Sequence, residues 1–377
     1  MTEKTSALHA VYVIDGVRQE YTPAQLLDAV TEPEGRHPFA APADVRAVDE
    51  SLDPVFGGAD ADADPGQVDA YMDAVAEARK QVPTAAADAY ARLRVGASLI
   101  DAVWRCGRFR LGDLRLEAVW HWNERPVGSR AAFYESVRAA ADYVDALGLR
   151  FSGYRYTRTA ALSELTFRPR IARDADEENS AFVSEPFRSE HPVLGARRAC
   201  PATLVPDPQS WVFYIPFDPA DFRLGGSLLA QECGVGVGPA PQVTDADYFQ
   251  DCYEVVRELV EDGILLSGAT VGEGGLLRTV RRMAAGCGLT VDLSDLMRAY
   301  QEPDPVRILF SEVPGAVVQI HDADFDYLDA ELLLQDVAYF PLGHPIPDTE
   351  DIRIRASAKS GIQTILESLM QNAEGED

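Results

Sequence analysis

The stretch GILLSGATVGEGGLLRTVRRMAAGCGLTVDL, residues 263–293, constrains this chain more than any other. An apolar run leads into a glycine-rich turn. A segment with apolar residues at helical spacing (Leu276, Val280, Met283, Ala284, Cys287) follows, and then the alternating strand LTVDL. An apolar run, a tight turn and a helix start in this order form a layout that often holds phosphate on backbone N–H groups. Yet the turn has no lysine, histidine or aspartate, and its single charged residue is Glu273.

The flanking sequence has the same alternating character. SWVFYIPFD (210–218) reads as a buried strand, and Thr244, with Asp247 three residues on, as an approximate capping box. The helix that follows buries Phe249, Cys252, Val256, Leu259 and Val260 and ends at Gly263. Then come a strand (GAVVQIH), a helix (DADFDYLDAELLLQ), two strands (VAYFPLG and DIRIRA) and a final helix bearing Ile362, Ile365, Leu366 and Leu369. The pattern predicts an α/β (α+β) fold with mixed sheets covered by helices. Upstream, a strand-like AVYVIDG opens a region rich in proline, glycine, alanine and aspartate, read as a small element and a long acidic linker partly independent of the core. Helical spacing appears from Val68 to Ala78 and from about Ala85 to Trp104, and again in AAFYESVRAAADYVDALG, which stops at Gly148. RLEAVWHW lies between the last two, and residues 168–210 read as irregular.

Charge and composition exclude several roles. The net charge is −27, and only three of 34 basic residues are lysines (Lys4, Lys80, Lys359), so nucleic acid is a poor partner. Adaptation to a salty cytoplasm is one account of this acidity, and a GC-rich genome with an acidic protein is the other. Apolar runs are too short and too broken by charge to span a bilayer, and the N-terminus lacks a secretory pattern. Five scattered cysteines without a C-x-x-C pair fit a reducing cytoplasm.

Several short motifs in fixed order carry a resemblance. FRLGGSLLAQE (222–232), EGGLLRTVRRMAAGCGLTVDL (273–293), LFSEVPGAVVQIHDAD (309–324) and FPLGHP (340–345) resemble the later synthetase half of large, single-chain phosphoribosylformylglycinamidine synthase, an amidotransferase-ligase of purine biosynthesis. ARLRVGASLIDAVWRCGRFRLGDLRLEAVWHW and AAFYESVRAAADYVDALGLRFSGYRYTRT resemble its first domain more faintly. The resemblance implies the two-domain architecture of aminoimidazole ribonucleotide synthetase, with ATP or ADP and Mg²⁺ between the domains of active members. It divides the chain into an N-terminal element and linker (1–84), a first domain (85–205) and a second (206–377). It also implies a homodimer or pairing with another synthetase-like subunit through the first domain's sheet.

The departures from that pattern bear on chemistry. Where active halves read His-Asp-x-Ser-Asp-Gly-Gly-Leu, this chain has Ala269, Thr270, Val271, Gly272, Glu273, Gly274, Gly275 and Leu276. The glycines remain, and the histidine and first aspartate do not. Glu273 takes the second aspartate's place and is the candidate metal ligand. The family's Gly-Lys-Asp-Ser stretch aligns with Gly153, Tyr154, Arg155 and Tyr156, leaving Arg155 to meet a phosphate or to serve as an exposed strand residue. Gly225, Gly226 and Ser227 could offer N–H groups to a phosphate, or form a tight strand-to-helix connection. Gly274 and Gly275 are candidates of the same kind, and no residue is a catalytic candidate.

No cysteine has a glutaminase setting. Cys287, in AGCGL, sits at a helix C-terminus, where the dipole disfavours a thiolate. GVGVGP (234–239), the calcium-loop imitation DADADPG (Asp60, Asp62, Asp64, Gly66, with Pro65 and Tyr71 out of pattern), His321 with Asp322 and Asp324, and His121 with Glu124 all have ordinary structural explanations. Three readings follow: a non-catalytic structural or regulatory homologue that could retain ATP or ADP with Mg²⁺, an active ATP-dependent C–N ligase subunit, or a binding module unrelated to purines.

Overall fold

The structure is a computed structural model and describes residues 6–36, 47–51, 63–78, 81–105, 109–172, 175, 193–195, 197–236 and 238–356. The helix expected around Ile362–Leu369 lies outside the described residues, as do Asp60 and Asp62. In chain order the elements are β1 (Tyr12–Ile14), β2 (Val17–Arg18), α1 (Pro23–Ala29), β3 (Val48–Glu50), α2 (Val68–Glu77), α3 (Ala87–Val103), β4 (Leu114–Trp122), α4 (Ser129–Ala146), β5 (Phe151–Arg158) and β6 (Glu164–Ile171). There follow β7 (Ser210–Pro216), α5 (Leu228–Cys233), α6 (Ala246–Glu261), β8 (Leu265–Val271), α7 (Gly275–Met283), β9 (Gly288–Asp292), α8 (Ser294–Ala299), α9 (Pro305–Phe310), β10 (Gly315–His321), α10 (Phe325–Leu334), β11 (Phe340–Gly343), β12 (Pro345–Ile346) and β13 (Ile352–Arg355). This is the mixed α/β arrangement expected. Among the described residues no helix is long and apolar enough to cross a membrane.

Among the described residues, four small sheets carry the topology. In the sheet β5-β4-β6, β4 runs parallel to β5 and antiparallel to β6. The strand period of two puts Leu114, Leu116, Ala118, Trp120 and Trp122 into the core, while Arg115, Glu117 and His121 face away. Helices α3 and α4 pack together beside this sheet, with Trp120 edge-on to Phe133 and Phe167. β6 extends to Ile171, so the first residues of the stretch read as irregular are in fact strand.

The sheet β11-β7-β10-β8 is antiparallel and buried on both faces. Phe213, Ile215, Ala316, Val318 and Ile320 join one apolar core with α3, α4 and α6. Val212, Tyr214, Val317 and Leu342 join a second with α7, α8 and α9. Gln319, fully buried in β10, accepts from Ser267 Oγ (3.0 Å) and Val205 N (2.8 Å) and reaches Val205 O and Ser210 Oγ with its amide. A buried amide with its partners met adds no net penalty.

The N-terminal residues differ from expectation. Ala7, Tyr12, Leu27 and Val30 belong to the same core as α3 and α4 rather than to a partly independent element. Thr22 and Gln25 form a reciprocal capping box with Pro23 at the first helical position of α1. Glu50 accepts from Arg130 N and Ala131 N at the start of α4, Glu32 pairs with Arg115, and Tyr12 packs on Tyr134 at 5.1 Å. Proline- and alanine-rich composition hid these anchors. The α6 cap is also corrected: Asp245 accepts from Tyr248 N at 3.0 Å, while Thr244 N donates to the buried Asp218.

Candidate functional site

The glycine turn joins β8 to α7. Gly274 and Gly275 have φ of +84° and +73°, and a Cβ on Gly275 would lie 2.5 Å from Leu309 O. Both the left-handed backbone and the close approach therefore demand glycine. Gly275→Ala is expected to cost at least about 2 kcal/mol in urea unfolding; an unchanged midpoint would show that the turn does not need this conformation.

The N–H groups of the turn already have an acceptor. Gly274 N donates to Glu312 Oε1 at 2.9 Å, and Leu228 N, the first residue of α5, donates to the same oxygen at 2.9 Å. The structure thus brings the Gly225-Gly226-Ser227 segment and Gly274 together, as candidates of one site should be, but around a carboxylate of the chain itself. Glu312 is 4% exposed. Burial pushes its carboxyl up to about 7 against the pull of the two N–H donors and of Arg94, with Glu273 adding to the rise. Ser227 caps α5 by accepting from Ala230 N at 3.2 Å. Gly225 is needed for packing, since a Cβ there would meet Gly238 O at 2.0 Å, and Gly226 has φ +75°.

Glu273 is likewise held by the chain. Its Oε1 accepts from Tyr90 Oη at 2.9 Å and faces Arg94 Nη1 at 3.3 Å, both residues of α3. The same guanidinium lies against the turn, 3.6 Å from where a Gly272 Cβ would sit. Burial works hardest against the Arg94 charge, but Glu273, Tyr90, Glu312 and Asp101 together overcome it and hold the guanidinium above its ordinary range. Burial, then Glu273, keep the Tyr90 hydroxyl protonated. A magnesium ion wants near-octahedral oxygen ligands, and a guanidinium beside the carboxylate repels it. The donor set does not fit Mg²⁺, and among the described residues no group of three or more side chains could hold a metal.

Beside Glu273 lies a cavity of about 240 Å³ lined by Tyr90, Arg94, Ser98, Glu164, Thr166 and Glu273, among others. It is smaller than the ~300–1,000 Å³ usual for ligand pockets. Its charged lining is one arginine and two carboxylates, a poor seat for a polyphosphate.

Arg155 does not join this cluster. It extends from β5 and pairs with Glu117, which also takes Arg170. Burial alone would raise the Glu117 carboxyl, and the two arginines overcome it and hold it below the ordinary value. Cys287 is buried, and burial raises its thiol, away from nucleophilic use. His321 accepts from Ala323 N and faces Asp207 at 3.8 Å, while Asp322 accepts from the Trp211 indole. Glu124 accepts from Tyr156 and pairs with Arg158 rather than His121. Asp64 accepts from Gly66 N as a local cap.

Glu312 and Arg94 are the residues that sequence reasoning passed over. Glu312 is the lone charge in LFSEVPG, and an acid in an apolar run needs a buried partner. Arg94 stands on a helix with buried residues on most sides, the same kind of signal.

Residues 221–330 match the family model described as AIR synthase related protein, C-terminal domain. That stretch resembles the C-terminal domain of AIR synthase-related proteins. The chain is similar to phosphoribosylformylglycinamidine synthase of Homo sapiens, at 27% identity over 245 residues, covering 62% of this chain and 16% of that protein. It is also similar to the probable phosphoribosylformylglycinamidine synthase, chloroplastic/mitochondrial, of Arabidopsis thaliana, at 26% identity over 277 residues, covering 71% and 18%. Among solved structures, T. maritima PurL complexed with ATP aligns with TM-score 0.46 and 16% identity, covering 73% of this chain and 40% of that one. The chain spans 16–18% of the length of the curated relatives it matches.

Proposed function

We propose that this chain is a non-catalytic homologue of the purine-biosynthetic synthetase half, a structural or regulatory unit that pairs with a synthetase-like subunit. Its units would be residues 85–205 and 206–377. The observation that carries this reading is the double acceptance at Glu312 Oε1, which saturates the N–H groups of Leu228 and Gly274. The carboxylate that would hold a metal is paired with Arg94 and Tyr90. Phosphoryl chemistry rests on metal and on donors aimed at developing charge, and this turn offers neither.

Titration of Mg-ATP and of Mg-ADP by calorimetry, at low and at molar salt, is expected to give no saturable heat from the folded protein. One-site saturation would overturn the reading. The alternative, an active ATP-dependent ligase subunit, draws on the opening of Glu273 to the 240 Å³ cavity. It requires Mg-ATP turnover that disappears on Glu273→Ala.

A further inference from the structure

Helix α10 is apolar on two sides. Its inner side is accounted for: Leu328 and Leu332 are fully buried, and Phe325 stacks on Phe213 at 5.9 Å. Its outer side carries Tyr327, Ala330, Leu333 and Leu334 at spacings of three and four, which places them on one exposed strip. Tyr327 is 42%, Leu333 66% and Leu334 76% exposed. Single exposed leucines are ordinary, but an adjacent pair continuing a helical stripe with an aromatic is the form of an interaction surface.

The charge around this strip selects its partner. From Ile308 to Ile352, a stretch of 45 residues, there is no lysine or arginine. Exposed Asp326 opens the strip one turn before Ala330, Asp336 and Glu331 border it, and Tyr327 donates to Asp262 at the end of α6. The nearby arginine of α6, Arg257, is buried and held by Glu254, Glu258 and Glu261. A second copy paired symmetrically through this face would bring the same anionic edge against this one.

We infer that the outer face of α10 docks a cationic amphipathic helix of another protein, its leucines on Leu333 and Leu334 and its arginines or lysines on the acidic edge. The inference does not depend on how the glycine turn is read. A surface helix keeps its outer face polar unless something covers it, and here nothing polar separates Tyr327 from Leu334 on that face except the flanking acids.

The test uses the full chain and a labelled synthetic helix of about 18 residues, with leucine on one face and arginine on the other. Fluorescence anisotropy at near-physiological ionic strength compares it with a peptide of identical composition whose leucines are spread around the helix. The faced peptide is expected to bind about tenfold more tightly than its control, and Leu333→Ser with Leu334→Ser to remove that advantage while the melting curve is unchanged. Asp326→Asn with Asp336→Asn is expected to weaken the faced peptide severalfold with folding intact. Equal binding of the two peptides, or indifference to the leucine substitutions, would overturn the inference. So would a sedimenting dimer of the wild-type chain that the leucine substitutions dissolve, since the occupant would then be a second copy.

Discussion

Glu312→Ala is expected to cost about 3–5 kcal/mol of unfolding free energy at pH 5.5, because it leaves two buried N–H donors, Leu228 and Gly274, without an acceptor at about 1–3 kcal/mol each and opens a small void. Glu312→Gln, whose amide oxygen can accept both bonds, is expected to cost far less. The two substitutions separate shape from charge. The wild-type chain also has a pH signature at this residue. Its carboxyl holds a proton up to about 7 when folded, against an ordinary 4.5. Between those values the folded state binds more proton than the unfolded one, so stability falls as pH rises. The contribution is fully present below 4.5 and is lost as pH passes through about 7, in all roughly 3 kcal/mol. Asp218, raised to about 6 by burial, acts in the same direction but completes its loss earlier. Urea unfolding between pH 6.5 and 8 therefore isolates Glu312: the wild-type midpoint should fall and the Glu312→Gln midpoint stay level. Parallel slopes in the two chains would refute the assignment.

Removal of the Arg94 side chain carries the second large effect. Arg94→Met would take the guanidinium from beside the Glu273 carboxylate, which is 7% exposed and keeps the Tyr90 hydroxyl as a donor. The expected loss is about 3 kcal/mol, the lower end for breaking a buried pair because the guanidinium is itself 20% exposed. Glu273→Gln placed in the same chain should recover at least about 1.5 kcal/mol of it, since the stranded charge is gone. Denaturant unfolding of the wild type, both single variants and the double variant closes the cycle. Strict additivity would mean that the two side chains do not sense each other.

The C-terminal part of the chain was legible because each element there is a short apolar run or a clean helical stripe. β7, β9 and β10 read directly, β8 showed only as an apolar run, and Gly263 marks the end of α6 in both sequence and structure. The α6 cap was missed by one position because Thr244 and Asp245 are both good cap residues, and the choice is made by Asp218, 26 and 27 residues away. The N-terminal element was misjudged for a different reason. Its anchors, such as Tyr12, Leu27 and Glu50, are isolated among alanine, proline and aspartate, and only docking on α4 gives them a common surface. The candidate site was half legible. The glycines announced a tight turn with free N–H groups. The acceptor lies 38 residues from one donor and 84 from the other, and Tyr90 lies 183 residues from Glu273, so no local pattern could join them.

The internal counter-charges of the glycine turn have one more consequence. A turn that needs a dissolved ion or nucleotide to balance it is only as ordered as the surrounding solution allows, and its protein grows more or less durable as that solute rises and falls. Here Glu312 and Arg94 arrive with the polypeptide, at a fixed ratio of one to one. If the turn takes no ligand, as proposed, it is complete as soon as the chain has folded, and its persistence is set by inheritance rather than by metabolism.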